Sequence, residues 1–203
     1  MKILIVDACI RGDVSRTRQL LEAAVSSVQE EAAAHDVTVT FEKVDLGLEE
    51  ILPLNAARLV ERDRLVVEGK YDQPCFQYAR QFAAADGIIV AAPFWDMSYP
   101  ALLKLYLERV SVDGITFTAT DAGLKGLCHG THMLYLCTRG GFPDGNAEDA
   151  GAANLRDLCG MYGIPHFQAV CAYGTDLPDP AAVANSLQAA SASASAAAKQ
   201  LVY

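Results

Sequence analysis

Five short apolar segments alternate with helical segments along the chain, and this alternation limits the fold more than any other feature. The apolar segments, rich in β-branched and aromatic residues, are 2–6, 37–44, 87–93, 132–138 and 167–173. Three of them are apolar almost throughout, which is typical of strands covered on both faces. Because right-handed crossovers place the intervening helices on both sides of such strands, the sequence predicts an α/β fold with a doubly wound, five-stranded parallel sheet.

The helical segments carry apolar residues at intervals of three and four. The pattern predicts helices over 15–34, 74–85, 100–110 and 147–162. The Ala-rich tail from residue 179 onward is predicted to be a last helix that frays, since alanine is the best helix former.

Two stretches depart from the plain alternation. Residues 46–70 form an insertion with helical character, and residues 111–130 form an excursion rich in Gly and Thr. Neither stretch is able to bury a core of its own, so we expect residues 1–203 to form a single domain.

The charge of the chain restricts its partners. With 16 basic and 25 acidic residues the formal charge is −9, and no basic stripe is present. This argues against nucleic acid or an anionic membrane as the main partner. The apolar N-terminal run is short and contains Asp7, so it is better interpreted as the first strand than as a signal peptide, and we expect a cytoplasmic protein.

Cysteine and histidine do not suggest a metal site. No two of the six cysteines stand in a C-x-x-C pair, so we expect them to be reduced. His129 and His132 are three residues apart, but no third ligand lies near them in sequence.

In open α/β sheets, ligands bind at the carboxyl ends of the strands, so the loops 8–17, 93–99 and 138–147 are the places to look for a site. The first loop contains neither G-x-G-x-x-G nor G-x-x-x-x-G-K-[ST]. It does put Ser15, Arg16 and Thr17 at a helix N-terminus, which suits one phosphate group. A cap formed by Asp13 or Ser15 explains the same residues, and the loop alone leaves both interpretations open.

The loop after the third strand holds the only tryptophan, Trp95, within the run APFWDMSYPALLK, residues 92–104. Bulky rings on such a partly exposed loop either fill a gap in a core or cover a flat ligand. Asp96 also has a structural interpretation, as a cap of the helix that follows.

In the loop after the fourth strand, Gly140 and Gly141 allow close approach to the backbone. A tight turn would explain one glycine more readily than this pair together with Gly145.

Together the three loops suit a flat, phosphorylated ring system. They resemble those of the FMN-dependent NAD(P)H:quinone oxidoreductases and azoreductases of the flavodoxin-like superfamily. The matching segments are Ala92-Pro93-Phe94-Trp95 with Met97, Pro100 and Leu103-Lys104, then Gly114-Ile115-Thr116-Phe117, Thr138-Arg139-Gly140-Gly141, and the loop from Cys9 to Thr17.

The resemblance implies a cofactor, FMN, and assigns residues to it. Ser15, Arg16 and Thr17 would hold the phosphate, Phe94 to Met97 with Pro93 would flank the isoalloxazine, and Thr138 to Gly141 would line its pyrimidine side. Cys9 stands where the family has a serine. Asp96 stands where the family has an asparagine, which makes it a candidate for tuning the flavin potential.

The resemblance also implies an activity and an assembly. NADH or NADPH would be the co-substrate, and hydride would pass through flavin N5 to a quinone or a similar aromatic acceptor, such as an azo or nitro compound. No side chain is assigned a catalytic role, because the cofactor carries the chemistry. A homodimer with the flavin near the interface is expected.

Two alternatives remain at this stage. A flavodoxin-like electron carrier without a substrate of its own would share the fold and the acidic charge. A phosphoacceptor signalling domain would use Asp7, but it needs an Asp after the third strand and a Lys after the fifth. The chain has Pro93 and Gly174-Thr175-Asp176 at those places.

Overall fold

The computed structural model describes residues 1–143 and 149–203, and five parallel strands form its main sheet. The strands are β1 (Lys2–Asp7), β2 (Thr40–Asp45), β3 (Gly87–Ala91), β4 (Phe117–Thr120), β5 (Gly123–Gly126), β6 (His132–Thr138) and β7 (His166–Ala172). The main sheet has the order β2-β1-β3-β6-β7, with every neighbouring pair parallel, and β4 and β5 form a separate antiparallel hairpin. This is the doubly wound order in which the second main-sheet strand lies outside the first, so the predicted fold class is confirmed.

Helices occur in each stretch where the sequence predicts one. They are α1 (Arg16–Ala34), α2 (Ala56–Val67), α3 (Gln77–Ala83), α4 (Ala101–Val110), α5 (Ala150–Tyr162) and α6 (Pro180–Lys199). The stretch 74–85 is divided, with a 3-10 turn at Pro74–Phe76 before α3. Residues 147 and 148 of the helix predicted over 147–162 lie outside the described residues.

The central strands bury side chains on both faces, as their apolar runs predict. Leu4 and Val90 point toward the layer of α3, α4 and α5, and Ile5 and Ile89 point toward α1 and α6. Because successive side chains of a strand alternate between the faces, two separate cores result.

The prediction of a frayed last helix is wrong. Ala190, Ala194 and Ala198 of α6 are buried, and so are Leu201 and Val202 in the 3-10 turn that follows. Alanines let α6 approach α1 closely, and the two helices also exchange hydrogen bonds between serine hydroxyls and backbone carbonyls. Low complexity in this tail therefore reflects close helix packing.

The two departures from alternation pack onto the main body of the protein. Leu65 of α2 joins Phe76, Ala79 and Val112 in a small cluster. The β4–β5 hairpin lies against the end of α5, where a Cβ on Gly126 would come within 2.1 Å of the Gly163 nitrogen. Only glycine permits this close approach of two backbones.

Candidate functional site

Four loops meet at the carboxyl edge of the main sheet, and backbone hydrogen bonds hold three of them together. The Phe94 N–H donates to Thr138 O at 3.0 Å, and the Arg139 N–H donates to Ala172 O at 2.8 Å. The Thr175 N–H donates to Arg139 O at 3.1 Å, which ties the loop after β7 to the loop after β6. The loop after β1 closes the remaining side.

A cavity of about 90 Å³ lies between these loops. Its lining includes seven of the residues expected at a cofactor: Ser15, Arg16, Pro93, Phe94, Trp95, Thr138 and Gly140. Arg11, Thr175 and Asp176 also line it and were not among the expected residues. Gly145, cited from the sequence as a third glycine, lies outside the described residues. The structure thus brings the three expected loops, together with the loop after β7, into one small cavity.

Neither Ser15 nor Asp13 caps α1, so the capping interpretation of this loop is wrong. Ser15 occupies the N-cap position, but its side chain makes no capping hydrogen bond. Asp13 instead faces Arg18, with Oδ1 3.3 Å from Nη1. The first amide groups of α1 have no intrahelical acceptor, as at any helix start. These amide groups remain available to an anion.

Thr17 and Cys9 support the loop from behind. Thr17 is buried, and its hydroxyl shares a 2.7 Å hydrogen bond with that of Thr138, which links the first and third loops. The Cys9 thiol lies 3.7 Å from Ala91 O and does not line the cavity. Burial raises the pKa of Cys9 to about 12. Neither Thr17 nor Cys9, both expected at the cofactor, is among the residues that line the cavity.

A buried carboxylate anchors the start of the same loop. Asp7 is fully buried, and its Oδ1 accepts the Cys9 N–H at 2.9 Å. Its Oδ2 lies 3.0 Å from Arg18 and 2.8 Å from Lys43. Burial alone would raise the pKa of Asp7, but the hydrogen bonds from Lys43 and Cys9 outweigh it and lower the pKa. Asp7 therefore links the end of β1 to both cations and to the loop backbone.

The aromatic loop is built on a tight turn. The Trp95 N–H donates to Ser98 O and the Ser98 N–H donates to Trp95 O, at 3.1 and 2.8 Å. Asp96 and Met97 take positive φ values of 47° and 64°, which are the angles that a two-residue turn of this kind requires. The turn raises Trp95 and Met97 to the surface, where they are 38% and 65% exposed. Trp95 thus does not fill a core.

Asp96 does not cap α4, so that interpretation is also wrong. The N-cap of α4 is Pro100, which makes no side-chain cap, and Asp96 lies within the exposed turn. The neighbouring Phe94 ring packs under Arg139, whose guanidinium carbon is 4.2 Å from the ring centroid. This contact fixes the position of the ring at the mouth of the cavity.

The residues present fit a ligand with an anionic group and a flat ring. Arg11, Arg16 and the helix N-terminus supply positive charge to the cavity, Trp95 adds an aromatic surface to its lining, and Met97 is exposed on the adjoining turn. Gly140 lies directly beneath Asp176, because a Cβ on Gly140 would lie 2.2 Å from Asp176 Oδ2. Within residues 1–143 and 149–203, no group of three or more His, Cys, Asp or Glu side chains is placed to hold a metal ion.

A larger cavity, of about 550 Å³, lies between α2, α3 and α4 and is lined by Arg58, Arg62 and Arg109 among others. It contains no residue from the loops after β1, β3 or β6. We assign the site to the carboxyl edge because that is where parallel sheets bind cofactors.

A parallel sheet in this order, with an anion-receptive loop after its first strand and an aromatic loop after its third, defines a flavodoxin-like α/β protein. Comparison with known families agrees with this class. A sequence model of the Flavodoxin_2 family, described as having the flavodoxin-like fold, matches residues 1–197, and the chain belongs to this family.

Curated relatives with similar sequences carry a more specific name. The chain is 33% identical over 184 residues to FMN-dependent NADH:quinone oxidoreductase 2 of Clostridium acetobutylicum, covering 87% of this chain and 88% of the relative. It is 35% identical over 180 residues to FMN-dependent NADH:quinone oxidoreductase 5 of Pseudomonas fluorescens, covering 86% and 87%.

Solved structures support the fold. An azoreductase from Bacillus anthracis superimposes with a TM-score of 0.84 at 23% identity, covering 98% of this chain and 99% of the other. An FMN-dependent NADH-azoreductase from the same species, solved with FMN, gives 0.80 at 21% identity, covering 98% and 100%. In the described part of the chain, no helix is both long enough and apolar enough to cross a membrane.

Proposed function

We propose that this protein is an FMN-dependent oxidoreductase that passes two electrons from NADH or NADPH to a quinone or a similar aromatic acceptor, such as an azo or nitro compound. The observation that carries the proposal is the cavity in which an anion-receptive helix start, an aromatic turn and a glycine shelf meet. The names of the relatives, which specify FMN and NADH, support it and favour NADH as the donor.

In this proposal the protein binds, orients and shields, and FMN supplies the hydride chemistry when it is bound. Ser15, Arg16 and the first amides of α1 hold the phosphate, since helix N-termini and guanidinium groups both favour anions. Thr138 and the backbone of Gly140 and Gly141 line the edge of the ring. These groups fix the cofactor without taking part in bond making.

In this proposal the aromatic turn forms the surface on which the acceptor binds. Trp95 and Met97 are exposed on the turn that follows Phe94, so a flat acceptor would find apolar contacts there and would exclude water. No titratable side chain of the turn is required as an acid or a base. This agrees with a site that serves several aromatic acceptors.

The direct test is the visible spectrum of the purified protein, with and without NADH. We expect a yellow protein with one non-covalent FMN per chain that NADH bleaches and a quinone restores. Heat release followed by chromatography identifies the flavin. Recovery of FAD, or no flavin after reconstitution, would contradict the proposal. Bleaching without turnover of a quinone would favour the electron-carrier alternative.

We further propose a homodimer whose partner completes the flavin site, and a cytoplasmic location, where NADH is available. The resemblance to the dimeric family supports the first point, as do exposed apolar residues near the turn. Light scattering at micromolar concentration tests it, and a stable monomer would refute it.

The effect of Asp96→Asn on the flavin potential tests the tuning role of this carboxylate. Asn favours the turn angles as well as Asp does, so the fold should be unchanged. Removing a negative charge near the ring should raise the midpoint potential. Since Asp96 is exposed, we expect roughly 1 kcal/mol or less, which is about 20 mV or less for a two-electron couple.

Spectroelectrochemical titration measures this shift, and melting temperature monitors the fold. Asp36→Asn is the matched control, because it removes the same charge at the distant end of α1 from a residue that also has positive φ. Equal flavin midpoint potentials in the two variants would show that Asp96 does not tune the flavin.

A further inference from the structure

An ion pair crosses the cavity in which we propose that the phosphate binds. Arg16 Nη1 lies 2.6 Å from Asp176 Oδ1, and both residues line the cavity with Ser15. The second carboxylate oxygen, Oδ2, lies over Gly140, so the carboxylate extends across the glycine shelf. Arg16 is thus already paired with an anion of the protein itself.

The backbone of Asp176 is held by hydrogen bonds, while its side chain is largely exposed. The Asp176 N–H donates to Gly140 O at 3.1 Å, and the preceding Thr175 N–H donates to Arg139 O at the same distance. The Asp176 side chain is 75% exposed and that of Arg16 is 40% exposed. Within the described part of the chain, rotation of the carboxylate into solvent would therefore break one exposed ion pair and no buried contact.

A phosphate monoester and the Asp176 carboxylate would compete for the same guanidinium. The phosphate carries a charge of about −1.5 to −2 near neutral pH, and it repels a carboxylate placed beside it. We propose that Asp176 is a resident counter-ion of Arg16 that the phosphate of FMN displaces, so that Asp176 sets the affinity of the site for phosphorylated flavins. This inference depends on the proposed function.

The test compares FMN with riboflavin, which has the same ring and no phosphate. Apoprotein is titrated with each flavin, and binding is followed by quenching of flavin fluorescence. We expect Asp176→Asn to bind FMN about two- to fivefold more tightly, the scale of an exposed ion pair, and to bind riboflavin with unchanged affinity. Asp36→Asn, at the far end of the 19-residue helix α1, about 28 Å away, should leave both affinities unchanged.

A double variant identifies the route of the effect. If Asp176 acts by occupying Arg16, Asp176→Asn should give a smaller gain for FMN in an Arg16→Ala background than in the wild type. An equal gain in both backgrounds would overturn the role assigned to Arg16.

The remaining outcomes separate this inference from the proposed function. Weaker FMN binding by Asp176→Asn would show that the carboxylate stays in place as a clamp, and unchanged binding would show that it is a bystander. Either result overturns the inference while wild-type FMN binding upholds the proposed function. Wild-type protein that binds neither flavin would overturn both.

Discussion

Replacing Arg16 by alanine is expected to weaken FMN binding by roughly 10- to 150-fold, with little loss of stability. A charge-assisted contact to phosphate contributes about 1.5–3 kcal/mol, and Arg16 lies at the first turn of α1 within the cavity. Among the described residues it has one ion pair, to the exposed Asp176, which contributes at most about 1 kcal/mol. Fluorescence titration of the apoprotein measures the affinity, and thermal unfolding measures the stability.

Riboflavin and a second arginine provide the controls for this prediction. Riboflavin lacks the phosphate, so its affinity should be the same in the wild type and in Arg16→Ala. Arg64→Ala removes an arginine of α2 whose partners, Glu61 and Glu68, lie on the same helix, and it should leave FMN binding unchanged. Wild-type FMN affinity in Arg16→Ala would show that Arg16 does not contact the phosphate and is an ordinary surface residue.

Asp7→Asn is expected to destabilise the protein by about 2–3 kcal/mol near neutral pH. Removing one partner of a buried ion pair costs about 3–5 kcal/mol. We expect less here because Lys43 is partly exposed and Asp45 also pairs with both cations. Some loss of stability remains, because the NH2 group of Asn would face Arg18 and Lys43, whose side chains are themselves donors and cannot accept a hydrogen bond. Chemical denaturation measures the loss.

The pH dependence of this difference follows from the pKa of Asp7. In the folded protein the pKa of Asp7 lies below its unfolded value of 3.8. The carboxylate therefore contributes its full stabilisation above pH 3.8, and this contribution is lost as the pH falls through the folded pKa. The advantage of the wild type over Asp7→Asn should thus be constant from pH 7 to about pH 5 and should shrink below pH 4.

Asp45→Asn is the matched control for Asp7→Asn. Asp45 pairs with the same two cations, but it is 23% exposed and its distances, 3.5 and 3.3 Å, are longer. A smaller loss of stability is expected, because an exposed partner loses less when it is unpaired. Equal losses in the two variants would contradict the special role of the buried carboxylate.

Most of the fold was predictable because it follows from local patterns. Apolar strands such as 87–93 and helices such as 15–34 identify themselves by period and composition, and the crossover rule converts their alternation into a doubly wound sheet. The exposed position of Trp95 was predictable for a similar reason, since the residues around it mark a loop after a buried strand. The ordered packing of the last helix was not predictable, because its alanines are buried only through tertiary contacts with α1 and the main sheet.

The three loops of the site were also predictable, since the carboxyl ends of parallel strands meet at one edge. The resemblance to a known family supplied the individual roles. It led to seven residues that line the cavity, but it also included Cys9, which packs behind the loop. The sequence alone does not show whether a small residue after a strand, such as Cys9, faces the site or packs behind the loop.

What the sequence by itself determined is the class of the fold and the edge of the sheet at which the site forms, because strand and helix periods are local properties. Only the tertiary structure decided which side chains meet there. Asp176 follows the last strand, 160 residues from Arg16, and nothing in either local pattern announces their contact. The cap assigned to Asp96 failed for the same physical reason. A cap depends on where the backbone turns, and here paired hydrogen bonds between Trp95 and Ser98 close a turn before the helix begins at Ala101.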